Sequence, residues 1–295
     1  MEYHQPVLLA ETLEYLRVEP DKKYIDCTLG DGGHTREILG RGGQVLGIDF
    51  DTDAVERATQ RIIAEGLEKN FTSVCGNFAN IDKIAKENGF GQVNGVLYDL
   101  GYSFYQLGEG AKGLSFLTDQ PLDMRLDQSL GVTAADLVNA LSEKELTRIF
   151  YEYSDERYAK KIAQAIVIAR SLKKIETTKD LTEIIVDSTP PGYEGGRIHP
   201  ATRTFQALRI ATNLELENLK KSLPRAACLL LPGGRMTVIS FHSKEDEIAK
   251  RFGQSMQPRI SKVVAITKKP VTSTKAEVDQ NTKARSAKLR VYEKV

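Results

Sequence analysis

The chain has 295 residues, of which 41% are apolar and 27% charged, a composition typical of a soluble globular protein with one large or two moderate domains. It contains no apolar run of about 18 residues, and its first residues lack the basic and then apolar pattern of a signal peptide, so we expect a cytoplasmic protein without a membrane span. Cys27, Cys75 and Cys228 are far apart and the four histidines are scattered, so we expect neither disulfides nor a bound metal.

Net charge is distributed unevenly along the chain. From Gln257 onward the chain carries a net charge of +7, whereas the part before it carries −6. A basic segment of this kind commonly contacts phosphates, and a solvated terminal face explains it equally well.

The most distinctive segment is a predicted strand, Lys23 to Cys27, that runs into the glycine-rich turn Gly30–His34. Glycines permit positive φ and close approach of a ligand to the backbone, and the helix predicted from Thr35 to Leu39 presents unpaired N–H groups at its start. A second predicted strand, Gln44 to Ile48, is followed by Asp49. An acid about 20 positions beyond such a turn is placed to accept the hydroxyls of a ribose, so this corner predicts a nucleoside site.

The charge of the corner indicates which nucleoside it binds. Dinucleotide sites use G-x-G-x-x-G to hold a pyrophosphate, whereas this turn contains Asp31 and follows Asp26. Acids repel a pyrophosphate and favour a nucleoside that carries a positive sulfonium, which is S-adenosylmethionine, over NAD. A nicotinamide-dependent oxidoreductase is the alternative, as is a glycine turn beside a solvated acid.

Strands and helices alternate in the first third of the chain, with further predicted strands at Thr72 to Cys75 and Val93 to Tyr98. This rhythm predicts an open α/β sheet of parallel strands. About ninety residues with helical patterns and no strand follow, which predicts an inserted helical domain. Sheet-like sequence returns at Arg235 to Phe241, Val263 to Thr267 and Lys288 to Glu293, the last two spaced as an antiparallel edge pair. We therefore predict a core of seven strands in two parts, 1–106 and 206–295, around an inserted substrate-recognition domain at 107–205.

Two side chains follow strands at the predicted ligand-binding edge. Asp99 comes at the exit of the fourth strand, beside the first strand in a doubly wound sheet, and is expected to line the cleft. A turn residue that caps the next segment is the alternative. Phe78 lies along the same edge and is expected either to cover an adenine ring or to pack in the core.

Over nearly its whole length the chain resembles the RsmH (also called MraW) family, methyltransferases that act on N4 of a cytidine in the decoding centre of bacterial 16S rRNA. The motifs that carry the resemblance keep their order along the chain: His4–Glu11, Asp26–His34, Gly47–Asp49, Asp99–Gly101 with Gln106 and Leu107, Ser115 and Phe116, Pro121–Arg125, His199–Ile210, Pro232–Arg235, Ser240–Ser243, and Asn281 with Arg285–Arg290.

The resemblance implies a seven-stranded, class I (Rossmann-like) α/β fold of the S-adenosylmethionine-dependent methyltransferases, with an inserted all-helical domain. It implies an enzyme of rRNA processing that uses S-adenosylmethionine, releases S-adenosylhomocysteine and needs no metal. The implied donor-binding residues are Gly32, Gly33, His34, Asp49, Phe78, Asp99 and Gln106. From the residues alone, His34 is expected to be a helix-start residue bonded to nearby backbone.

The expected mechanism is in-line attack of the cytosine amino nitrogen on the methyl group. An acceptor for the amino protons orients a nitrogen whose lone pair is delocalised into the ring, and this acceptor is expected to be Asp99 or the Leu100 carbonyl. Asp99 and Ser103 are the predicted catalytic residues, and Ser103 is expected to meet the base. The expected partner is 16S rRNA or the assembled small subunit, bound by a monomer or a homodimer. The predicted RNA contacts are Asp123, Arg203, Arg209, His242, Asn281, Arg285 and Lys288; for each cation a surface role or a salt bridge is an equal alternative, and for Asp123 a helix cap.

The chain departs from the family pattern at several positions that are expected to lie near the nucleic acid. Phe104 and Tyr105 stand where a Ser precedes the Gln in the family, and Lys244 stands in place of Leu. These departures leave open a different RNA cytidine as target, or a weaker activity. A non-catalytic RNA-binding protein is the competing class, and it would not need the donor corner.

Overall fold

The computed structural model describes residues 5–101, 112–255 and 263–295. Its strands, in chain order, are β1 (Lys23–Asp26), β2 (Gln44–Asp49), β3 (Phe71–Cys75), β4 (Val93–Asp99), β5 (Leu230–Ser240), β6 (Val263–Ala265) and β7 (Lys288–Lys294). They form a seven-stranded sheet in the order β3-β2-β1-β4-β5-β7-β6.

The first five strands pair in parallel, whereas β7 pairs antiparallel with both β5 and β6. The predicted strands, the position of β4 beside β1 and the antiparallel terminal pair are therefore confirmed. The central strands read as continuous apolar runs because helices cover both faces of a parallel sheet. Accordingly Ile25, Leu46 and Val96 are fully buried.

One strand begins earlier than its sequence predicts. We expected β5 from Arg235, because Pro232 and two glycines usually end a strand. The strand instead begins at Leu230, and its register against β4 shifts between Val93 and Gly95. Gly233 has a φ of +79°, so the glycines absorb an irregularity in the ladder rather than ending it.

The helices of the described chain, in order, are α1 (Leu9–Leu16), α2 (Gly33–Gly40), α3 (Thr52–Ala64), α4 (Ile81–Glu87), α5 (Ala134–Ala140), α6 (Glu143–Ser154), α7 (Ala159–Leu172), α8 (Thr178–Ser188), α9 (Ala201–Asn213), α10 (Glu215–Leu229), α11 (Ser243–Ser255) and α12 (Lys275–Gln280). Short 3₁₀ turns occupy Glu68–Asn70, Phe78–Asn80, Tyr193–Gly196 and Thr282–Ser286. Among the described residues, no helix has the length and apolarity that a membrane crossing requires.

Capping residues set several helix starts. The Asp51 side chain accepts the N–H of Asp53 and caps α3, whose residues Ala54, Ala58 and Ile62 are buried at the i, i+4, i+8 spacing of one helical face. A capping box lies at the start of α6, where the Ser142 hydroxyl accepts the N–H of Glu145 and the Glu145 carboxylate accepts the N–H of Ser142.

The fold divides into two compact units at residues 103/104 and 215/216. The sheet and the helices around it form one unit, and α5 to α9 belong to the other. The boundary predicted between residues 205 and 206 cuts through α9, which packs against α6 and buries Phe205 and Leu208. The division of the fold therefore comes ten residues later than predicted, at the end of that helix.

Candidate active site

Three neighbouring parallel strands each end in an aspartate. Asp26 is the last residue of β1, Asp49 of β2 and Asp99 of β4, and β1 pairs with both of the other strands. The carboxyl ends of parallel strands meet at one edge of the sheet, where ligands bind in folds of this kind. This edge holds the candidate site.

The glycine-rich turn follows β1 and opens α2. Gly30 and Gly32 have φ values of +50° and +72°, in the left-handed region that side chains disfavour. Gly33 meets a different constraint, because a Cβ there would lie 3.1 Å from Cγ of Pro6. The N-terminal segment thus packs directly on the turn, and a side chain at this position would require Pro6 or the turn to shift by a few tenths of an ångström.

Asp49 has the geometry expected of a ribose-binding acid. Its Oδ2 accepts the N–H of Gly30 at 2.9 Å, and its Oδ1 accepts the N–H of Asp51 at 3.0 Å. Each carboxylate oxygen has two acceptor sites, so one remains on each oxygen. Burial raises the pKa of Asp49 to about 6, although the two backbone hydrogen bonds oppose that shift.

The other two acids of the corner are engaged within the protein. Asp26 accepts the Thr35 hydroxyl at 2.8 Å and the N–H of Thr28 at 3.1 Å, which ties the start of α2 to the end of β1. Asp31 pairs with Nε of Arg57 at 3.0 Å. Arg57 thus offsets the charge of Asp31, so the turn is less negative than its sequence suggests. Asp26 is 2% exposed and lies deeper than Asp49, which is 9% exposed.

Asp99 combines partial exposure with an unusual electrostatic environment. Its backbone N–H donates to the Thr28 hydroxyl at 2.6 Å, and its Oδ2 lies 3.5 Å from Nδ1 of His34. Its Oδ1 is buried and has no hydrogen-bond partner among the described residues. An acceptor of this kind is costly to bury alone and is ready to accept a donor from a ligand.

The ionisation of Asp99 depends on burial and on three charged neighbours. Burial raises its pKa to about 8, the charges of Asp26 and Glu245 add to that rise, and the charge of Lys283 opposes it. Lys283 responds in the opposite sense, since burial lowers its pKa to about 8 while Asp99 and Asp31 raise it. The charges of Asp99 and Lys283 therefore act on each other's ionisation.

The remaining predicted donor-binding residues differ in how much of each faces the edge. His34 is 4% exposed and contacts Asp99, which sequence analysis treated separately from it. The Phe78 ring packs edge-on against Tyr98 at 5.7 Å and is 6% exposed, so little of it remains to cover a base. Ser103 and Gln106 lie outside the described residues, as do Phe104 and Tyr105.

In the helical unit, the predicted RNA contacts are engaged in ion pairs or hydrogen bonds. Asp123 forms a two-pronged pair with Arg125, at 2.8 Å for both contacts, which lowers the pKa of Asp123. Arg203 donates to the carbonyl of Asp155 at 2.7 Å and lies 3.3 Å from Glu194.

Arg209 is similarly engaged, with its guanidinium on both oxygens of Glu215 at 2.8 and 2.9 Å. The salt-bridge alternative considered for these cations thus describes their places in this structure.

In the sheet unit, the predicted RNA contacts differ more widely in their exposure and in the groups they contact. His242 lies 3.1 Å from Glu245, Lys288 lies 3.5 Å from Asp246, and the Asn281 amide donates to the carbonyl of Gln5 at 3.1 Å. Arg285 is exposed at the surface. Among these four, Arg285 presents the most accessible positive charge.

Sequence analysis missed several residues that shape the edge. Arg57 neutralises Asp31, Lys283 acts on Asp99, and the hydroxyl of Ser222 donates to the carbonyl of Phe78 at 2.8 Å. Lys283 lay within a recognised basic tail, which was the one available signal. Nothing local in the sequence marks Ser222, because its partner is 144 positions away.

The sheet order, the glycine turn after the first strand and the acid that ends the second define a class I, Rossmann-like fold of the S-adenosylmethionine-dependent methyltransferases. The whole chain, residues 1–295, matches the MraW methylase family.

The chain is similar to proteins named Ribosomal RNA small subunit methyltransferase H from Syntrophotalea carbinolica (43% identical, covering 99% of this chain and 98% of that protein) and Deinococcus radiodurans (47% identical, covering 99% and 89%). Among solved structures it is similar to an rRNA methylase from Streptococcus thermophilus, with a TM-score of 0.47 and 11% identity over 100% of this chain and 99% of that one. The chain therefore belongs to the MraW methylase family, which confirms the resemblance drawn from its motifs.

Proposed function

We propose that this chain transfers a methyl group from S-adenosylmethionine to the exocyclic N4 of a cytidine in the decoding centre of 16S rRNA, in the cytoplasm. The observation that carries this proposal is the unpartnered Oδ1 of Asp99, buried at the end of β4 beside a nucleoside corner. Family membership and the names of the relatives support rRNA as the substrate class.

The residues of the corner fit this methyl donor. Asp49 retains one acceptor position on each carboxylate oxygen for ribose hydroxyls. Because α2 begins at Gly33, directly after the end of β1 and its turn, its first backbone N–H groups lie at this edge of the sheet. Asp99, when ionised, offers a negative charge that would favour a sulfonium at this edge. S-Adenosylmethionine, when bound, supplies a methyl group on positively charged sulfur.

Asp99 is assigned the task of orienting the attacking amine. The amino nitrogen of cytosine is a weak nucleophile, because its lone pair is delocalised into the ring. A hydrogen bond from that amine to Oδ1 of Asp99 favours a pyramidal nitrogen whose lone pair points along the line of attack. As the new C–N bond forms, an N–H bond breaks and its proton passes to the carboxylate or to water. A carboxyl group with a pKa of about 8 is a capable acceptor near neutral pH.

His34 and Thr28 are assigned positioning roles around that carboxylate. The Thr28 hydroxyl accepts the backbone N–H of Asp99, and Nδ1 of His34 lies 3.5 Å from Oδ2 of its side chain. Asp99 is thereby held from two directions. Positioning of this kind is the main contribution expected of the protein, because a base is not needed before the methyl group is transferred.

RNA binding is assigned to the helical unit together with the basic tail. A base that reacts inside a protein pocket must leave its stack, and we propose that the inserted unit clamps the extruded nucleotide. Of the candidate contacts, Arg285 is exposed and can bind a phosphate without breaking another contact seen among the described residues. The other candidates would have to give up a contact within the protein in order to bind RNA; they are Asp123, Arg203, Arg209, His242, Asn281 and Lys288.

Mass mapping of rRNA tests the proposal. Small subunits from cells that lack this protein are incubated with the purified chain and methyl-labelled S-adenosylmethionine, and the rRNA is then digested and analysed. The expected product is N4-methylcytidine in the decoding-centre fragment. Methylation confined to another cytidine would contradict the assigned target, and no incorporation into rRNA or small subunits would contradict the proposed activity.

A further inference from the structure

A chain of buried polar groups lies beneath the carboxyl edge of the sheet. The Tyr98 hydroxyl hydrogen-bonds to the Ser222 hydroxyl, which donates in turn to the carbonyl of Phe78 at 2.8 Å. The thiol of Cys27 contacts the same Tyr98 hydroxyl. Tyr98 and Ser222 are 0% exposed, so these groups exchange no hydrogen bonds with water.

The direction of the hydrogen bonds in this chain follows from its chemistry. Ser222 has a single hydroxyl hydrogen and gives it to Phe78, so Tyr98 must donate to Ser222. Each buried group is then satisfied only while the carbonyl of Phe78 stays where it is. Moving that carbonyl would leave the Ser222 hydroxyl without its acceptor, at the cost of an unpaired buried donor.

The segment held in this way is the 3₁₀ turn Phe78–Asn80 that follows β3. A second side chain from α10 holds the same turn, since Nη1 of Arg225 donates to the carbonyl of Ala79 at 2.6 Å and also lies 3.3 Å from Asp82. Leu219 and Leu223 pack on the sheet between these polar contacts. One face of α10 therefore fixes two consecutive carbonyls of the turn.

The turn lies next to the acid assigned to the ribose. Cys75, the last residue of β3, pairs with Asp49, and the N–H of Gly76 donates to the carbonyl of Asp49 at 2.8 Å. Because β3 and Gly76 adjoin Asp49, we infer that a nucleoside whose ribose is held by Asp49 has its base on the side of β3. Asn77 to Ala79 then border the base, whereas the ring of Phe78 is directed into the core.

We propose that Ser222 and Arg225 are positioning residues for recognition of the donor's base: they hold the backbone of the Phe78–Asn80 turn in the one arrangement that matches adenine. The proposal rests on the proposed function, because it takes S-adenosylmethionine as the ligand of the corner. It assigns specificity for the base to α10, whose Ser222 and Arg225 act through the backbone of the turn. Hydrogen bonds from a fixed backbone discriminate between bases more strongly than an apolar contact does.

Binding of two ligands that differ only at the base tests this role. S-Adenosylhomocysteine and S-inosylhomocysteine share ribose and amino acid, and differ in the hydrogen-bonding edge of the purine. Calorimetric titration of the wild-type chain is expected to show preference for the adenine ligand. The Ser222→Ala variant is expected to bind S-adenosylhomocysteine about tenfold more weakly, as for loss of one buried hydrogen bond, with little change for the inosine ligand. Arg225→Met alters a half-exposed side chain, and its affinity for S-adenosylhomocysteine is expected to fall about threefold.

Controls separate this role from a general loss of structure. Ser73→Ala removes a hydroxyl from β3 itself, where Ser73 contacts Thr59 at 3.1 Å, and is expected to leave the ratio of the two affinities unchanged. Turnover of Ser222→Ala at saturating donor is expected to remain within about twofold of wild type, since the reacting groups are untouched.

Equal weakening of both ligands, or an unchanged ratio in Ser222→Ala and Arg225→Met, would overturn the proposal. If Ser222→Ala does not fold, the proposal is tested by the ratio of the affinities of Arg225→Met for the adenine and the inosine ligand. Failure of the wild-type chain to bind S-adenosylhomocysteine is a distinct result and would overturn the proposed function itself.

Discussion

Nδ1 of His34 lies 3.5 Å from Oδ2 of Asp99, and this contact joins the two halves of the candidate site. His34 belongs to the helix that starts in the glycine turn, and Asp99 ends the strand beside it. The helix that opens toward the donor therefore also holds the carboxylate assigned to the substrate. The other oxygen of Asp99 is buried and has no hydrogen-bond partner among the described residues, and it is the oxygen that the proposed function assigns to the amine.

The first prediction concerns the pH dependence of methyl transfer. Asp99 must be a carboxylate to accept the amine and to attract a sulfonium, and its pKa in the free protein is about 8. We expect kcat/KM for the donor to rise about tenfold per pH unit below pH 8 and to level off above it. A positive donor lowers the pKa of Asp99 in the complex, so kcat should level off at lower pH. Rate profiles between pH 5 and pH 9.5 check this. A kcat/KM that is flat from pH 6 upward would contradict it.

The second prediction assigns part of that pKa to Lys283, whose charge lowers the pKa of Asp99. In Lys283→Met the carboxylate loses a stabilising positive charge, so the rise in kcat/KM should extend to higher pH. At pH 7 the variant should therefore be several-fold slower, and the difference should shrink as the pH increases. Lys275→Met removes an exposed charge from the same terminal segment and should keep the wild-type profile. A uniform loss at every pH would point to a structural role instead.

The third prediction concerns the close packing of Pro6 on Gly33. A Cβ at Gly33 would lie 3.1 Å from Cγ of Pro6, so Gly33→Ala must displace the N-terminal segment or the turn. We expect donor affinity to fall by about three- to tenfold, as for overpacking of a tight contact. The double variant Pro6→Ala/Gly33→Ala, in which the smaller side chain at position 6 makes room for the new Cβ, should recover most of the lost affinity. Titration with S-adenosylhomocysteine measures the affinity of both variants. If the double variant is as weak as Gly33→Ala alone, the contact with Pro6 is not the cause.

Much of this site was predictable because its residues occupy regular positions. Asp49 and Asp99 stand at the ends of apolar strands, and the Asp51 cap and the Ser142–Glu145 capping box are local patterns. Local sequence determines where a strand or helix begins and ends, so features of this kind can be predicted from the sequence. Pairings between distant segments were not predictable in the same way.

Ser222 illustrates the limit, since a serine on an otherwise apolar helix face has no signature of its own. Its role depends on a carbonyl 144 positions away. The ion pairs of Arg203 and Arg209 were hidden for a related reason, because a basic residue in a family motif has the same sequence signal whether it meets RNA or a neighbouring acid. Only the packed fold shows that Glu194 and Glu215 are their partners.

The fourth prediction separates two of the candidate RNA contacts. Arg285 is exposed, so Arg285→Ala should weaken RNA binding at all sequences and reduce the slope of log K against log salt by about 0.7 to 0.9. Arg209 is held by Glu215 and its side chain is 9% exposed, so Arg209→Gln should lower the melting temperature and leave that slope unchanged. Filter binding across a salt series, with thermal melts of both variants, measures the two effects. The reverse pattern would contradict the assignment of Arg285 as the phosphate contact.

The fifth prediction, and the most direct test of the account, is the rate of a single turnover for Asp99→Ala on small subunits lacking the modification. If the carboxylate orients the amine, the methyl-transfer rate should fall at least about a hundredfold, the loss typical of removing one preorganised group, while the affinity for the subunit stays within about threefold. Asp99→Asn keeps an acceptor oxygen without the charge, so its methyl-transfer rate should lie between those of the wild type and Asp99→Ala. A fall in rate no larger than the fall in subunit affinity would contradict the central claim that Asp99 acts on the reacting nitrogen.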